Sequence, residues 1–161
     1  MLALRYAAVL ALALWTGGLL VIGAVAAPSI FDVLGARGTE GRVLAGAVVA
    51  ALLERFTVIA YCCAAVVLLS LAARGVLGPR PRRFGYRVAG LLLMIAATVY
   101  AGAVVAPRIA AIQQAIGTAP SALAATDPRR VEFGRLHGTS VSLQLVPLLG
   151  GLVLLLWELK D

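Results

Sequence analysis

Residues 88–106 read VAGLLLMIAATVYAGAVVA, a run of 19 residues without a charged side chain. At a rise of about 1.5 Å per residue, a helix of this length comes close to the roughly 30 Å hydrocarbon thickness of a bilayer. Residues 6–27, 56–73 and 138–157 form three more uncharged runs, of 22, 18 and 20 residues. None alternates polar and apolar residues as a barrel strand does, so the sequence predicts four transmembrane helices.

The composition of the 161-residue chain also points to lipid. Apolar residues make up 62% of it and charged residues 13%, whereas a soluble domain carries roughly 25% charged residues. The net charge of +7 lies between the apolar runs, and basic and aromatic residues are not interleaved as they are in nucleic-acid modules. We therefore expect one all-α integral membrane domain over residues 1–161, a four-helix bundle, with no nucleic-acid partner.

The link between the second and third runs sets the expected orientation. From Arg74 to Arg87 it reads RGVLGPRPRRFGYR, with five arginines and no acid. Short loops this basic stay on the cytoplasmic side, where they meet anionic lipid headgroups. Four spans then place the N- and C-termini in the cytoplasm as well. Four spans with this orientation predict a multi-pass protein of the inner (plasma) membrane.

Two amphipathic segments are expected on the opposite side, at about residues 40–54 and 108–117. The first leads without a break into the second run, so a helix through both is longer than the membrane is thick, and it projects outward or bends near Glu54. In the second segment, isoleucines recur at helical spacing.

An internal similarity relates the first and third runs. Residues 23–30, GAVAAPSI, and residues 102–109, GAVVAPRI, agree at six of eight positions and lie 79 positions apart. One interpretation is a duplication of two parallel helical hairpins, a 2+2 repeat; the other is coincidence in a chain rich in alanine, valine and glycine. In either case Pro28 and Pro107 are expected to kink or end a helix at the same depth.

Polar residues line one side of the fourth predicted helix where it enters the membrane. Phe133, His137, Ser140 and Gln144 follow one another at steps of four, three and four, which places them on one stripe. Polar side chains are costly in hydrocarbon, so the stripe is expected to point into the bundle. One hypothesis is a ligand or ion pocket lined by His137, Ser140 and Gln144. The other is a set of interhelical hydrogen bonds.

Three more residues belong to this candidate site. Trp15 lies near the middle of the first span, where its N–H needs a partner such as Gln144 or a carbonyl freed near a kink. Glu54 is expected at the outer rim, either solvated or paired with Arg135 or Arg108.

Small residues form a second stripe on the fourth helix, at Gly134, Gly138 and Ser142. Their spacing of four allows two helix backbones to approach closely.

No catalytic or metal-binding set is predicted. His137 is the only histidine, and the neighbours Cys62 and Cys63 lack the spacing of a metal or redox motif. A haem held by two histidines would need a second chain, unless Met94 served as a ligand. No acid lies where it could orient His137 for nucleophilic catalysis. No cofactor is therefore expected.

Parts of the chain resemble a known family. The residues that carry the resemblance are LWTGG at 14–18, Ala27-Pro28 followed by Phe31, and FGRLHGTS at 133–140 with Gln144. They resemble the transmembrane protein 205-like family, which implies four membrane helices and no agreed reaction. An asparagine is usual in that family at the position of Gln144, which changes the geometry of any pocket there. The Trp-x-Gly-Gly element is also similar to copper-resistance D-like membrane proteins, although Ala8 stands near the place where those carry a histidine.

Three functions follow as expectations. The first is a non-enzymatic accessory or oligomer-forming subunit of a membrane complex. The alternative is a small transporter or ligand-binding protein with a site between the hairpins. The second alternative is a haem- or copper-linked redox protein.

Overall fold

The computed structural model describes residues 2–78 and 80–160, which form four long helices and no strand. All four helices are long and apolar enough to cross a membrane. They are α1 (Leu2–Gly35), α2 (Thr39–Leu77), α3 (Phe84–Ile116) and α4 (Pro128–Lys160). Each predicted span lies within one of them, and the predicted all-α four-helix bundle is confirmed.

Two of the three links between the helices are short, whereas residues 117–127 form a longer link that contains a 3₁₀ turn at Pro120–Ala122. Gly38, before α2, and Gly117, after α3, have φ angles of 85° and 66°, a backbone region in which a side chain is unfavourable. Arg83 takes a similar conformation, with φ of 58°, immediately before α3. These turns bring consecutive helices back alongside each other in antiparallel pairs.

Each helix packs against two neighbours. Helix α1 contacts α2 and α4, and α3 contacts the same two helices. The core lies between all four, and its large buried side chains include Leu12, Trp15, Val67, Leu91, Met94 and Leu154. Glycines allow the closest approaches. A Cβ atom on Gly151 of α4 would overlap Cγ2 of Thr16 on α1, and one on Gly18 of α1 would overlap the ring of Phe56 on α2.

The two similar segments of the sequence adopt the same local structure. Each forms one π-helical turn, at Ile22–Ala26 in α1 and at Ala101–Val105 in α3. The N–H of Ala27 donates to the carbonyl of Ile22, and the N–H of Ala106 donates to that of Ala101. The donors are 79 positions apart, and so are the acceptors, so the repeated sequence corresponds to a repeated structural element.

The prolines explain these turns. Pro28 has no N–H, and in a regular α-helix its ring would collide with the carbonyl four residues earlier. A wider turn just before it removes that collision, and Pro107 is accommodated in the same way. The helix therefore continues through both prolines, and the expectation that either could end it is wrong. The expected kink stays a prediction.

Charged residues mark the edges of the membrane-crossing part. On α2, Arg74 and Arg55 are 19 residues apart, or about 28 Å. On α3, Arg87 and Arg108 are 21 residues apart, or about 31 Å. The helices extend beyond Arg55 and Arg108, and Gly46 of α2 lies near the side chain of Gln113 on α3. The outer segments are thus helical extensions of α2 and α3, and the extension of α3 packs mainly against α4.

At the start of α4, the side chain of Asp127 accepts hydrogen bonds from the first turn of the helix. Its Oδ1 accepts a hydrogen bond from the backbone N–H of Arg129 at 2.8 Å, and its Oδ2 accepts one from the Arg129 guanidinium at 3.0 Å. These hydrogen bonds, that of the side chain first, lower the pKa of Asp127 below its usual value. The ionised form is therefore favoured in the folded chain.

This contact gives a pH-dependent prediction. Because the folded-state pKa is lowered, the stabilisation is complete above the unfolded pKa of about 3.9 and is lost as the pH falls through the folded value. Asp127→Asn keeps an oxygen that can cap the helix but removes the charge. We expect the wild type to have the higher Tm at pH 7, and the difference to be smaller at pH 2. Thermal unfolding at both pH values measures it, and an equal difference at both would contradict the assignment.

Candidate functional site

The predicted polar stripe on α4 does not face the bundle as a unit. The buried face of this helix is formed by Leu136, Pro147, Gly151, Leu154 and Glu158. His137 follows Leu136 directly, and successive helical residues are about 100° apart. His137 is accordingly exposed, and the expectation that it points inward is wrong. Packing along the whole helix, rather than its polar residues, sets which face turns inward.

The other members of the stripe lie at the edge of the helix contact. Ser140 and Gln144 are half-buried. Trp15 is buried in the core, and within the described residues its Nε1 has no hydrogen-bond partner. Thr16 lies opposite Gly151, seven residues along α4 from Gln144, or about 10 Å. This difference in depth explains why the expected bond between Trp15 and Gln144 does not form.

At the outer rim, Glu54 and Arg135 are both exposed. In the described part of the chain Glu54 forms no ion pair with Arg135 or Arg108. The alternative of simple solvation stays a prediction.

The exposed face of α4 has an unusual character for a membrane helix. The rings of Phe133 and His137 stack with centroids 6.0 Å apart. The hydroxyls of Thr139 and Ser142 are exposed, and each donates to the carbonyl four residues earlier at 2.9 Å. A Cβ atom added at Gly138 would meet nothing within 4 Å. This face is therefore smooth, partly polar and open.

A second cluster lies at the other end of the bundle, where the sequence had suggested only lipid contacts. Glu158 of α4 is buried, with 3% of its surface exposed, and so are Arg87 and Arg74, at 2% and 8%. Nη1 of Arg74 donates to both carboxylate oxygens at 2.9 Å. The guanidinium of Arg87 donates to Oε1 of the same carboxylate. Arg5 adds a bond to the Glu158 carbonyl oxygen.

This carboxylate therefore joins all four helices. Arg5 lies on α1, Arg74 on α2 and Arg87 on α3, and each reaches Glu158 on α4. Buried charges are tolerated in proteins only when they are paired and hydrogen-bonded. Among the described residues at this end, Glu158 is the sole acid. An acid at the end of an uncharged run, in a chain whose corresponding helix ends carry arginines, is the signal by which the sequence could have revealed the cluster.

The remaining candidates for chemistry are scattered. Cys62 is exposed and Cys63 is buried. Across residues 2–78 and 80–160, no three side chains of histidine, cysteine, aspartate or glutamate come together to hold a metal ion. The two clusters on α4 are thus the features of the described chain that stand out, one as an exposed surface and one as an ionic junction.

Comparison with known proteins identifies a family. A family model for a domain of unknown function (DUF4149) matches residues 10–118, which run from α1 to just past the end of α3. No curated protein and no solved structure matches the chain. The resemblances to the transmembrane protein 205-like family and to copper-resistance D-like proteins are not confirmed. The chain, with four helices able to span a membrane, belongs to the DUF4149 family of unknown function.

Proposed function

We propose that this chain is a non-enzymatic subunit of the inner (plasma) membrane that works by helix packing, and that it forms a dimer through the exposed face of α4. Its termini and the Arg74 to Arg87 link lie in the cytoplasm. The orientation is supported by the five arginines of that link, because short basic loops are retained on the cytoplasmic side.

The observation that carries the proposal is the poor coverage of α4. In the most apolar stretch of each helix, 17% of α4 residues are buried inside the bundle, against 22% for α3, 33% for α1 and 39% for α2. The uncovered side includes Gly138 and Ser142, which the charge-free length of α4 places within the membrane. Small residues spaced by four favour close helix contact in lipid, and polar groups there normally face protein.

The charges at the outer end favour a second copy of the same chain as the occupant of this face. Glu132 and Arg135 are both exposed on α4 and lie about one turn apart. In a dimer with a two-fold axis along the membrane normal, Glu132 of one copy can pair with Arg135 of the second copy, and the reverse pair forms as well. Gly138 then meets its own equivalent at the closest point of the two helices.

Cysteine cross-linking in membranes tests this proposal. Cys62 is first replaced by serine and Cys63 by alanine. In this background, Ser142→Cys should give an oxidised dimer of twice the 16.6 kDa chain mass. Adding Gly138→Leu should strongly reduce that yield, because the larger side chain separates the helices. The matched control is Ala13→Cys, at an exposed position on α1, which should remain monomeric.

Two outcomes would contradict the proposal. Equal dimer yields from Ser142→Cys and Ala13→Cys would mean that collisions, rather than a specific face, produce the cross-link. An adduct of a different mass would assign the face to another membrane protein and exclude self-association as its role.

A further inference from the structure

A pocket of about 540 Å³ opens beside the ionic junction of Glu158, outside the α4 face just described. Its size lies within the range of roughly 300–1,000 Å³ that is typical of small-molecule sites. Five side chains line it: Arg82, Arg83, Arg87, Trp157 and Lys160. Of these five described residues, four are cationic and none is acidic.

The walls of the pocket are held in place by defined contacts. Nη2 of Arg87 donates to the carbonyl oxygen of Trp157 at 2.8 Å, while Nη1 of Arg87 is bonded to the buried Glu158. The guanidinium of Arg83 lies over the Trp157 ring, 5.6 Å from its centroid, at a distance suited to a cation–π interaction. The fixed rear wall is therefore Arg87 with Trp157, and Arg82 and Lys160 are exposed at the opening.

The charge at this end of the bundle exceeds what the protein itself neutralises. Among the described residues, seven basic ones lie at this end against a single acid, Glu158. The basic residues are Arg5, Arg74, Arg80, Arg82, Arg83, Arg87 and Lys160. A cationic concavity of this kind attracts anions from its surroundings. Several guanidinium groups in one place favour phosphate oxygens, which they can bind through paired hydrogen bonds.

The depth of the pocket matches that of lipid headgroups. Arg87 and Arg74 mark the inner edge of the charge-free parts of α3 and α2. The ring of Trp157 stands at the same level, and tryptophan is enriched at the membrane–water interface. A phosphate held at this level could thus belong to a lipid whose acyl chains lie along the exposed apolar surfaces of the helices.

We propose that this pocket is a binding site for a phosphate-bearing anion, held between Arg82, Arg83 and Lys160 and in contact with Trp157. The phosphate comes either from the headgroup of an anionic phospholipid or from a small soluble phosphate compound. The two sources share the chemistry of recognition and differ only in whether acyl chains are required.

Tryptophan fluorescence of the full chain, stripped of lipid and kept in a neutral detergent, tests the proposal. Of the two tryptophans, Trp15 is buried in the core, so a ligand in the pocket should change the emission of Trp157. Dioctanoyl-phosphatidylglycerol should give a saturable change, and dioctanoyl-phosphatidylcholine should not. Inorganic phosphate forms the second arm. Saturation by phosphate, with competition against the lipid, assigns a soluble ligand, whereas saturation by phosphatidylglycerol alone assigns the lipid.

A matched pair of double variants locates the site. Arg82→Gln with Arg83→Gln should weaken the apparent affinity for the saturating ligand at least tenfold. Arg37→Gln with Arg108→Gln removes the same charge from exposed positions at the other end and should leave the affinity unchanged. The unfolding temperatures of both double variants confirm that the fold is intact.

Three results would overturn the proposal. A saturable response to neither phosphatidylglycerol nor phosphate removes the site. Equal weakening by the two double variants shows that only the overall charge matters. An equal response to phosphatidylcholine shows that the change in emission reports the acyl chains and not the phosphate.

Discussion

Replacing Glu158 by glutamine should lower the free energy of unfolding by about 3 kcal/mol, the largest effect expected for any conservative substitution in this chain. The carboxylate has 4% of its side-chain surface exposed and accepts hydrogen bonds from Arg74 and Arg87. Removing one partner of a buried ionic group leaves the others without compensation. Here the guanidinium groups of three different helices would repel one another.

Reversible unfolding in detergent micelles, followed by tryptophan emission, measures this loss. Glu54→Gln is the matched control, because it makes the same chemical change at an exposed position outside the proposed dimer face. It should change the unfolding free energy by less than about 0.5 kcal/mol, as is usual for surface substitutions. If the two variants were equally stable, the ionic junction would not hold the helix ends together.

The second large effect is expected at Gly151, where α4 approaches α1 most closely. In Gly151→Ala the new Cβ would overlap Cγ2 of Thr16, and insertion of a methyl group into a packed interface costs about 1–3 kcal/mol. Gly17→Ala is the control, because a Cβ added there meets nothing within 4 Å. Gly151→Ala should therefore have a clearly lower free energy of unfolding than Gly17→Ala, and denaturation of both variants measures this difference.

A double-mutant cycle separates this overlap from general effects of alanine in a helix. Thr16→Ser removes only the methyl group that collides and keeps the hydroxyl, which donates to the carbonyl of Leu12 at 2.7 Å. Combined with Gly151→Ala it should recover most of the lost stability, so that the two changes are strongly non-additive. Additive losses would refute the contact as the cause.

The proposed dimer face and the proposed phosphate pocket lie at different places on α4. Gly138 and Glu158 are 20 residues apart, or about 30 Å along the helix. The proposed association surface and the ionic junction beside the proposed pocket thus lie toward opposite ends of the same helix. Because the tests of the two proposals change different residues and use different readouts, either can fail without affecting the other.

Features of the chain that depend only on neighbouring residues could be predicted from its sequence. Four spans follow from the length and lack of charge of four runs, since lipid penalises charge and unpaired backbone wherever they occur. The two similar segments predicted one structural device at Pro28 and Pro107, and both form a π-helical turn. The form of that device was missed, because the pattern alone does not distinguish a widened turn from a broken helix.

Only the tertiary structure decided which side chains meet. The spacing of four, three and four placed His137 on a polar stripe. The rotation of α4, however, is set by which side chains fit against α1 and α3. Gly151, for example, packs beside Thr16 and Met94. Glu158 joins residues 153, 84 and 71 positions away in the chain. Helix formation is local, whereas burial and ion pairing depend on how distant segments pack, and a single sequence carries no direct record of that packing.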